Sequence, residues 1–179
     1  MLTRVLAVYA AGLALAGCGG SHPSAPEPSR APRSLEVSSS AFADGDRIPT
    51  TYTCRGAGTS PQLRWSGAPE KTRSIALVVD DPDAPNGTYT HWVVVNIPPD
   101  VAEVAEGGAP AGGSELRASG GVGWKPPCPP SGTHHYRFIV YALRTPTTLS
   151  NGVDTARALA AIDGKAIGRG TLVGTVRAS

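Results

Sequence analysis

Charge is what this sequence has least of. Only 17% of its 179 residues are Asp, Glu, Lys or Arg, and the formal net charge is +2. With so little self-repulsion, a chain kept expanded by its own charge is excluded. Without a basic stripe to neutralise phosphates, a dedicated nucleic-acid binder is disfavoured, and no nucleic-acid partner is expected. Long hydrophobic runs are also missing. The longest, residues 5–16, holds twelve residues, which as helix would reach about 18 Å, short of a hydrocarbon core of about 30 Å. Common catalytic and metal spacings are absent: there is no Gly-x-Ser-x-Gly, no His-x-x-x-His and no Cys-x-x-Cys. What is abundant is glycine and proline, 22 and 17 residues respectively. These breakers exclude a long coiled coil and bring the chain close to low-complexity composition. A hydrophobic fraction of 40% is still enough for one core, and the length suits one domain.

The beginning of the chain reads as an address. Arg4 precedes the apolar run, which fits the h-region of a signal peptide. The run closes on Leu15-Ala16-Gly17-Cys18, which resembles a bacterial lipobox. Residues 1–17 are therefore expected to be a lipoprotein signal peptide and Cys18 the lipidated first residue of the mature chain. Such a protein would sit on the extracytoplasmic face of a bacterial cell, held to the membrane by lipid chains without spanning it. Residues 18–34 carry four prolines and no aliphatic side chain larger than Ala. They read as a tether, with the folded domain over 35–179. Of the two remaining cysteines, Cys54 and Cys128, the oxidising compartment favours a disulfide over free thiols or a metal pair.

Three short apolar runs, residues 75–79, 91–97 and 136–143, are rich in β-branched and aromatic residues and end at prolines or at Asp-Pro. They predict strands, as does 172–176 and, more weakly, 35–38 and 62–65. One helix is predicted over 154–162, with Asp154 as N-cap and Gly164 beyond its end. The expected fold is mainly β, an antiparallel sandwich with few helices. Residues 103–133 show no periodicity and finish in Pro126-Pro127-Cys128-Pro129-Pro130. They are expected to form a shaped loop ending in a rigid clamp.

Chemistry-bearing residues gather at strand ends. Asp81-Pro82-Asp83-Ala84-Pro85 follows the first run, His91 opens the second, and His134-His135-Tyr136 opens the third. By alternation His91 shares a face with Val93 and Val95, while His134, Tyr136 and Phe138 share another and His135 points away from them. Convergence of these ends would make a small polar site with an apolar rim. Taken singly, each piece also has a plain explanation: Asp-Pro turns are common, and strand-end histidines are usually solvated.

Taken together, in order, these segments resemble the phosphatidylethanolamine-binding protein family, in its bacterial Raf-kinase-inhibitor-like branch. The matching text is residues 81–85, 91–98 and 127–143, with flanking matches at 43–49, 60–65 and 170–174. The resemblance spans about 35–177. It implies an antiparallel β-sandwich with a pocket for phosphate-type anions or phospholipid head groups. Carried over by position, the ligand-binding residues would be Asp81, Asp83, His91, Pro129, Pro130, His134 and Tyr136. His135 stands where many members have Arg, so an acid-pairing arginine is lost there. Because two aspartates beside a phosphate repel it, at least one is expected to accept a proton from His91 or His134. That would orient an imidazolium toward the anion and tighten binding as pH falls.

The expected function is a membrane-tethered binding module, with an extracytoplasmic enzyme as a candidate protein partner to modulate. No cofactor is expected. The alternative is a small hydrolase using His91 or His134 as general base with Asp81 as orienter. A metal site from Asp81, Asp83, His91 and His134 is the remaining reading.

Overall fold

The computed structural model describes residues 29–178. The leader, Cys18 and residues 18–28 of the tether lie outside the described residues. The elements are β1 (Glu36–Ser38), a 3-10 turn at Thr50–Tyr52, β2 (Leu63–Ser66), β3 (Ser74–Asp81) and β4 (Tyr89–Ile97). Four two-residue strands follow: β5 (Glu103–Val104), β6 (Ser114–Glu115), β7 (Arg117–Ala118) and β8 (Gly121–Val122). The chain closes with β9 (Thr133–Leu143), the helix α1 (Thr155–Asp163) and β10 (Ala166–Arg177). The fold is mainly β with one helix, as expected, and every strand pairing is antiparallel.

A five-stranded sheet in the order β10-β9-β3-β4-β6 forms the body. β3 is buried at every position. That explains why its sequence is continuously apolar instead of alternating: both faces of the sheet are covered. On one face Leu77, Val79, Trp92, Phe138 and Val140 meet Leu63, Trp65 and Val104 of the small sheet β1-β2-β5. On the other, Val78, Val93, Val95 and Ile139 pack with Ala158 and Ile162 of α1. Each such side chain contributes roughly 1.5–3 kcal/mol on full burial. The helix begins where the N-cap signal put it: the Asp154 carboxylate accepts the Arg157 amide at 2.8 Å.

Packing starts upstream of Leu35. Arg33 bridges Arg169 in parallel, Arg169 donates its amide to Pro32, and Ser34 donates to Arg169. The Ser29 hydroxyl donates to Asp163 at the end of α1. Residues 29–34 are thus a strap lying along the start of β10, held by backbone hydrogen bonds that composition does not register. Glycine makes the close approach that follows possible: a Cβ at Gly170 would stand 2.3 Å from the Leu35 carbonyl oxygen.

Candidate functional site

The ends of β3, β4 and β9 do converge. Asp81 closes β3, while Tyr89 and His91 open β4, and His134 and Tyr136 open β9. With the Pro126–Pro130 clamp they enclose a cavity of about 280 Å³. Of the residues predicted for the site, Asp81, His91, Pro130, His134 and Tyr136 line it; Asp83 and Pro129 do not. Pro126 and Cys128 of the clamp and Ala84 and Pro85 of the acidic turn also line it, and Tyr89 and Lys125 join them without having been singled out.

The position of His91 departs from simple alternation. Val79 pairs with Trp92 but Asp80 pairs with Thr90, so His91 is the extra residue of a β-bulge. The bulge turns its ring from the Val93/Val95 face toward Tyr136. His91 now packs between Tyr89, at a ring separation of 4.8 Å, and Tyr136, at 5.2 Å. The backbone of Lys125 grips it from both ends: the Lys125 amide donates to the His91 carbonyl, and the Lys125 carbonyl accepts from His91 Nδ1 at 2.8 Å. Burial holds the His91 pKa below its ordinary value, opposed by the Lys125 carbonyl and by Asp81 and Asp80. His91 therefore does not hand its proton to an aspartate, and it is neutral at physiological pH. That half of the imidazolium expectation fails on the bulge and the carbonyl it meets.

The other half is where the acid–imidazole contact lies. His134 Nδ1 donates to Asp81 Oδ2 at 2.7 Å, and both side chains are buried. The second Asp81 oxygen accepts the Asp83 amide at 2.9 Å, so the Asp-Pro-Asp turn fixes its own first carboxylate. The Asp83 carboxylate is occupied with His135, accepting both its amide and its Nδ1 at 2.7 Å. Burial raises the Asp83 pKa, but the two His135 bonds outweigh it and hold the group below its ordinary value. His135 thus pairs with an acid at the position where the missing Arg was expected to leave one unpaired.

Tyr136 is fully buried and lines the cavity, yet its hydroxyl has no hydrogen-bond partner. Asp81 and the Cys128 backbone lie near enough to act on it electrostatically, but neither completes a bond of good geometry. Burial first, then the Asp81 charge, pushes its pKa well above the usual tyrosine range. It is a committed O–H donor near Asp81 that makes no hydrogen bond of full geometry.

The clamp is tied down at three points. Trp124 stacks on Phe138 and donates its indole N–H to Gly58 at 2.9 Å. The Cys54 amide donates to Pro127, and Cys54 and Cys128 form a disulfide. Among the lining residues there is no serine or threonine, and the one cysteine, Cys128, is in that disulfide. The Asp81–His134 pair therefore has no hydroxyl of serine or threonine and no free thiol beside it in the cavity wall. Among the described residues, no group of three His, Cys, Asp or Glu side chains could hold a metal ion.

Comparison with known proteins places this geometry. Residues 38–177 match the family described as Phosphatidylethanolamine-binding protein. A UPF0098 protein of Methanothermobacter thermautotrophicus is 42% identical, over 80% of this chain and 99% of its own length. The Mycobacterium tuberculosis protein named "Putative lipoprotein LppC" is also 42% identical, over 91% of this chain and 90% of its own. Among solved structures, E. coli YbcL, described as a new member of the mammalian PEBP family, superposes with a TM-score of 0.76 at 32% identity. That match covers 82% of this chain and 99% of YbcL. A Chlamydia trachomatis PEBP homologue gives the same TM-score at 36% identity, with the same coverage of both chains.

Proposed function

The chain belongs to the phosphatidylethanolamine-binding protein family, and from that premise we propose that it is a binding module whose cavity takes a phosphate-type anion or a phospholipid head group. The observation that carries this reading is Tyr136. A buried hydroxyl left without a partner costs about 1–3 kcal/mol, and an anion in the cavity would accept from it. Asp81, His91, Pro130, His134 and Tyr136 form the binding wall in this proposal. Asp83 acts at one remove, through the amide that fixes Asp81.

The test sets stability against affinity. Tyr136→Phe is expected to stabilise the ligand-free protein by roughly 1 kcal/mol and to weaken phosphate or phosphoethanolamine roughly tenfold to a hundredfold, the range for a hydrogen bond to a charged group. Denaturant melts and titration calorimetry read the two effects. Unchanged affinity in both Tyr136→Phe and His91→Ala would remove the cavity as the binding site.

The Leu15-Ala16-Gly17-Cys18 motif and the name of the M. tuberculosis relative support export and acylation at Cys18. In that setting the module would modulate an extracytoplasmic enzyme or present its ligand. Mass spectrometry of the protein from its native membrane is expected to find a mature chain that starts at an acylated Cys18. An unmodified Cys18 would sink the anchor.

A further inference from the structure

We propose that the cavity selects a ligand bringing its own acidic proton, a phosphomonoester bound as the monoanion, over a phosphodiester. The inference rests on the phosphate reading above and narrows it.

It follows from where the protons sit. A backbone carbonyl can only accept, so the 2.8 Å contact with Lys125 assigns the ring proton of His91 to Nδ1. Nε2 is then a lone-pair nitrogen and can only accept. Burial of the ring favours that state and outweighs the neighbouring groups that oppose it. Tyr89 on β4 and Tyr136 on β9 are neutral, and Asp81 and Asp80 on β3 attract a proton but do not overcome burial. The Lys125 carbonyl takes the Nδ1 hydrogen. On the opposite wall His134 Nδ1 donates to Asp81, and no described residue contacts its Nε2 by a hydrogen bond. The cavity therefore offers the hydroxyls of Tyr136 and Tyr89 and the Lys125 ammonium as donors, and His91 Nε2 as the acceptor that can take a ligand's proton beside the Asp81 carboxylate. Among its lining residues the one permanent cation is Lys125, whose stem lies over Gly120.

A phosphate dianion fits this wall poorly. Each unit of negative charge brought beside Asp81 is repelled by its carboxylate, so a dianion meets about twice the repulsion of a monoanion. A monoanion carrying P–OH halves that repulsion and donates its hydrogen to a waiting Nε2, while its other oxygens accept from Tyr136. A diester has the single charge but no hydrogen to give.

Calorimetry of the full chain with ethyl phosphate and diethyl phosphate separates the cases. With a second pKa of about 6 for the monoester, its monoanion fraction falls on the order of 50- to 100-fold between about pH 5.5 and pH 8. Ethyl phosphate is expected to weaken by that factor. Diethyl phosphate keeps its charge over this range, so any pH effect on it belongs to the protein. It is expected to bind at least tenfold more weakly than the monoester at the lower pH, the loss of one hydrogen bond of about 1.4 kcal/mol. Equal affinities, or the same pH profile for both, overturn the inference while leaving the phosphate reading intact. Failure of both to bind overturns the phosphate reading itself. His91→Phe keeps a ring between Tyr89 and Tyr136 but removes Nε2, and is expected to flatten the monoester profile toward that of the diester. Phosphatidylcholine vesicles doped with phosphatidic acid or with phosphatidylethanolamine then tell a lipid source from a soluble one. Capture by the phosphatidic acid vesicles, or by the soluble ester alone, supports the inference; equal capture by phosphatidylethanolamine vesicles counts against it.

Discussion

Arg137→Met is expected to lower the unfolding free energy by about 3–5 kcal/mol at neutral pH, because it strands a buried carboxylate. Arg137 on β9 faces Asp80 on β3 as a cross-strand pair. It holds the carboxylate with two contacts, Nε to Oδ1 at 2.7 Å and Nη2 to Oδ2 at 2.8 Å. The Asp80 side chain is 6% exposed. Burial raises its pKa above the ordinary value, Arg137 pulls it back, and Asp81 beside it adds to the rise. A carboxyl whose folded pKa is raised loses stability as pH climbs from its unfolded value to its folded one. Removing Arg137 widens that window, so the deficit of the variant is expected to grow from about pH 5 to pH 8 and to shrink on acidification. Asp80→Asn combined with Arg137→Met removes both charges and is expected to recover most of the loss. Urea melts of the single and double variants decide the matter. A double variant as unstable as Arg137→Met alone would show that the arginine acts through packing and not through Asp80.

Replacing Cys54 and Cys128 together with serine is expected to cost about 4 kcal/mol, from the 74-residue separation they bridge and the entropy its closure removes from the unfolded chain. The loss has a functional side. Cys128 lines the cavity and its backbone lies beside the Tyr136 hydroxyl. Trp124 and the Cys54–Pro127 hydrogen bond remain as the other two ties on the clamp. Denaturant midpoints of the oxidised protein and the double serine variant measure the stability term. Indistinguishable midpoints would mean that the bridge contributes nothing to the fold.

Much of this architecture could be read from the residues, and what escaped shares a cause. The apolar runs of β3, β4 and β9 are short, rich in β-branched and aromatic residues and bounded by proline or Asp-Pro, so composition and boundaries identify them without help from context. The Asp154 N-cap and Gly164 bound the helix for the same local reason. The two-residue strands β5 to β8 could not be read, since a pair of residues has no period. The strap at 29–34 escaped because it is held by main-chain groups, which every sequence possesses. His91 was placed at the right strand end but on the wrong face, because one inserted residue flips every alternation argument beyond it. Asp83 was grouped with Asp81 by carry-over from the family resemblance; around the turn the two carboxylates serve different neighbours, Asp81 meeting His134 and Asp83 meeting His135. Tyr89 could have been found: it stands two residues before His91, flanking the same cavity mouth. The family resemblance supplied the pocket as a whole; the local chemistry decided which of its members face inward.

The strap has a mechanical consequence. It meets β10 at Arg169 and runs parallel to it, so its upstream end, at Ser29, lies by Asp163 at the foot of α1. The cavity is at the other extremity of the same strand, where Val176 pairs with His134. Along β10 the two points are about 23 Å apart, at 3.3 Å per residue. With Cys18 acylated as proposed, the pull of the tether would enter at Ser29 and load the end of β10 remote from the cavity. On that proposal, force on the anchor would be carried by the strap and β10 without passing through the binding wall.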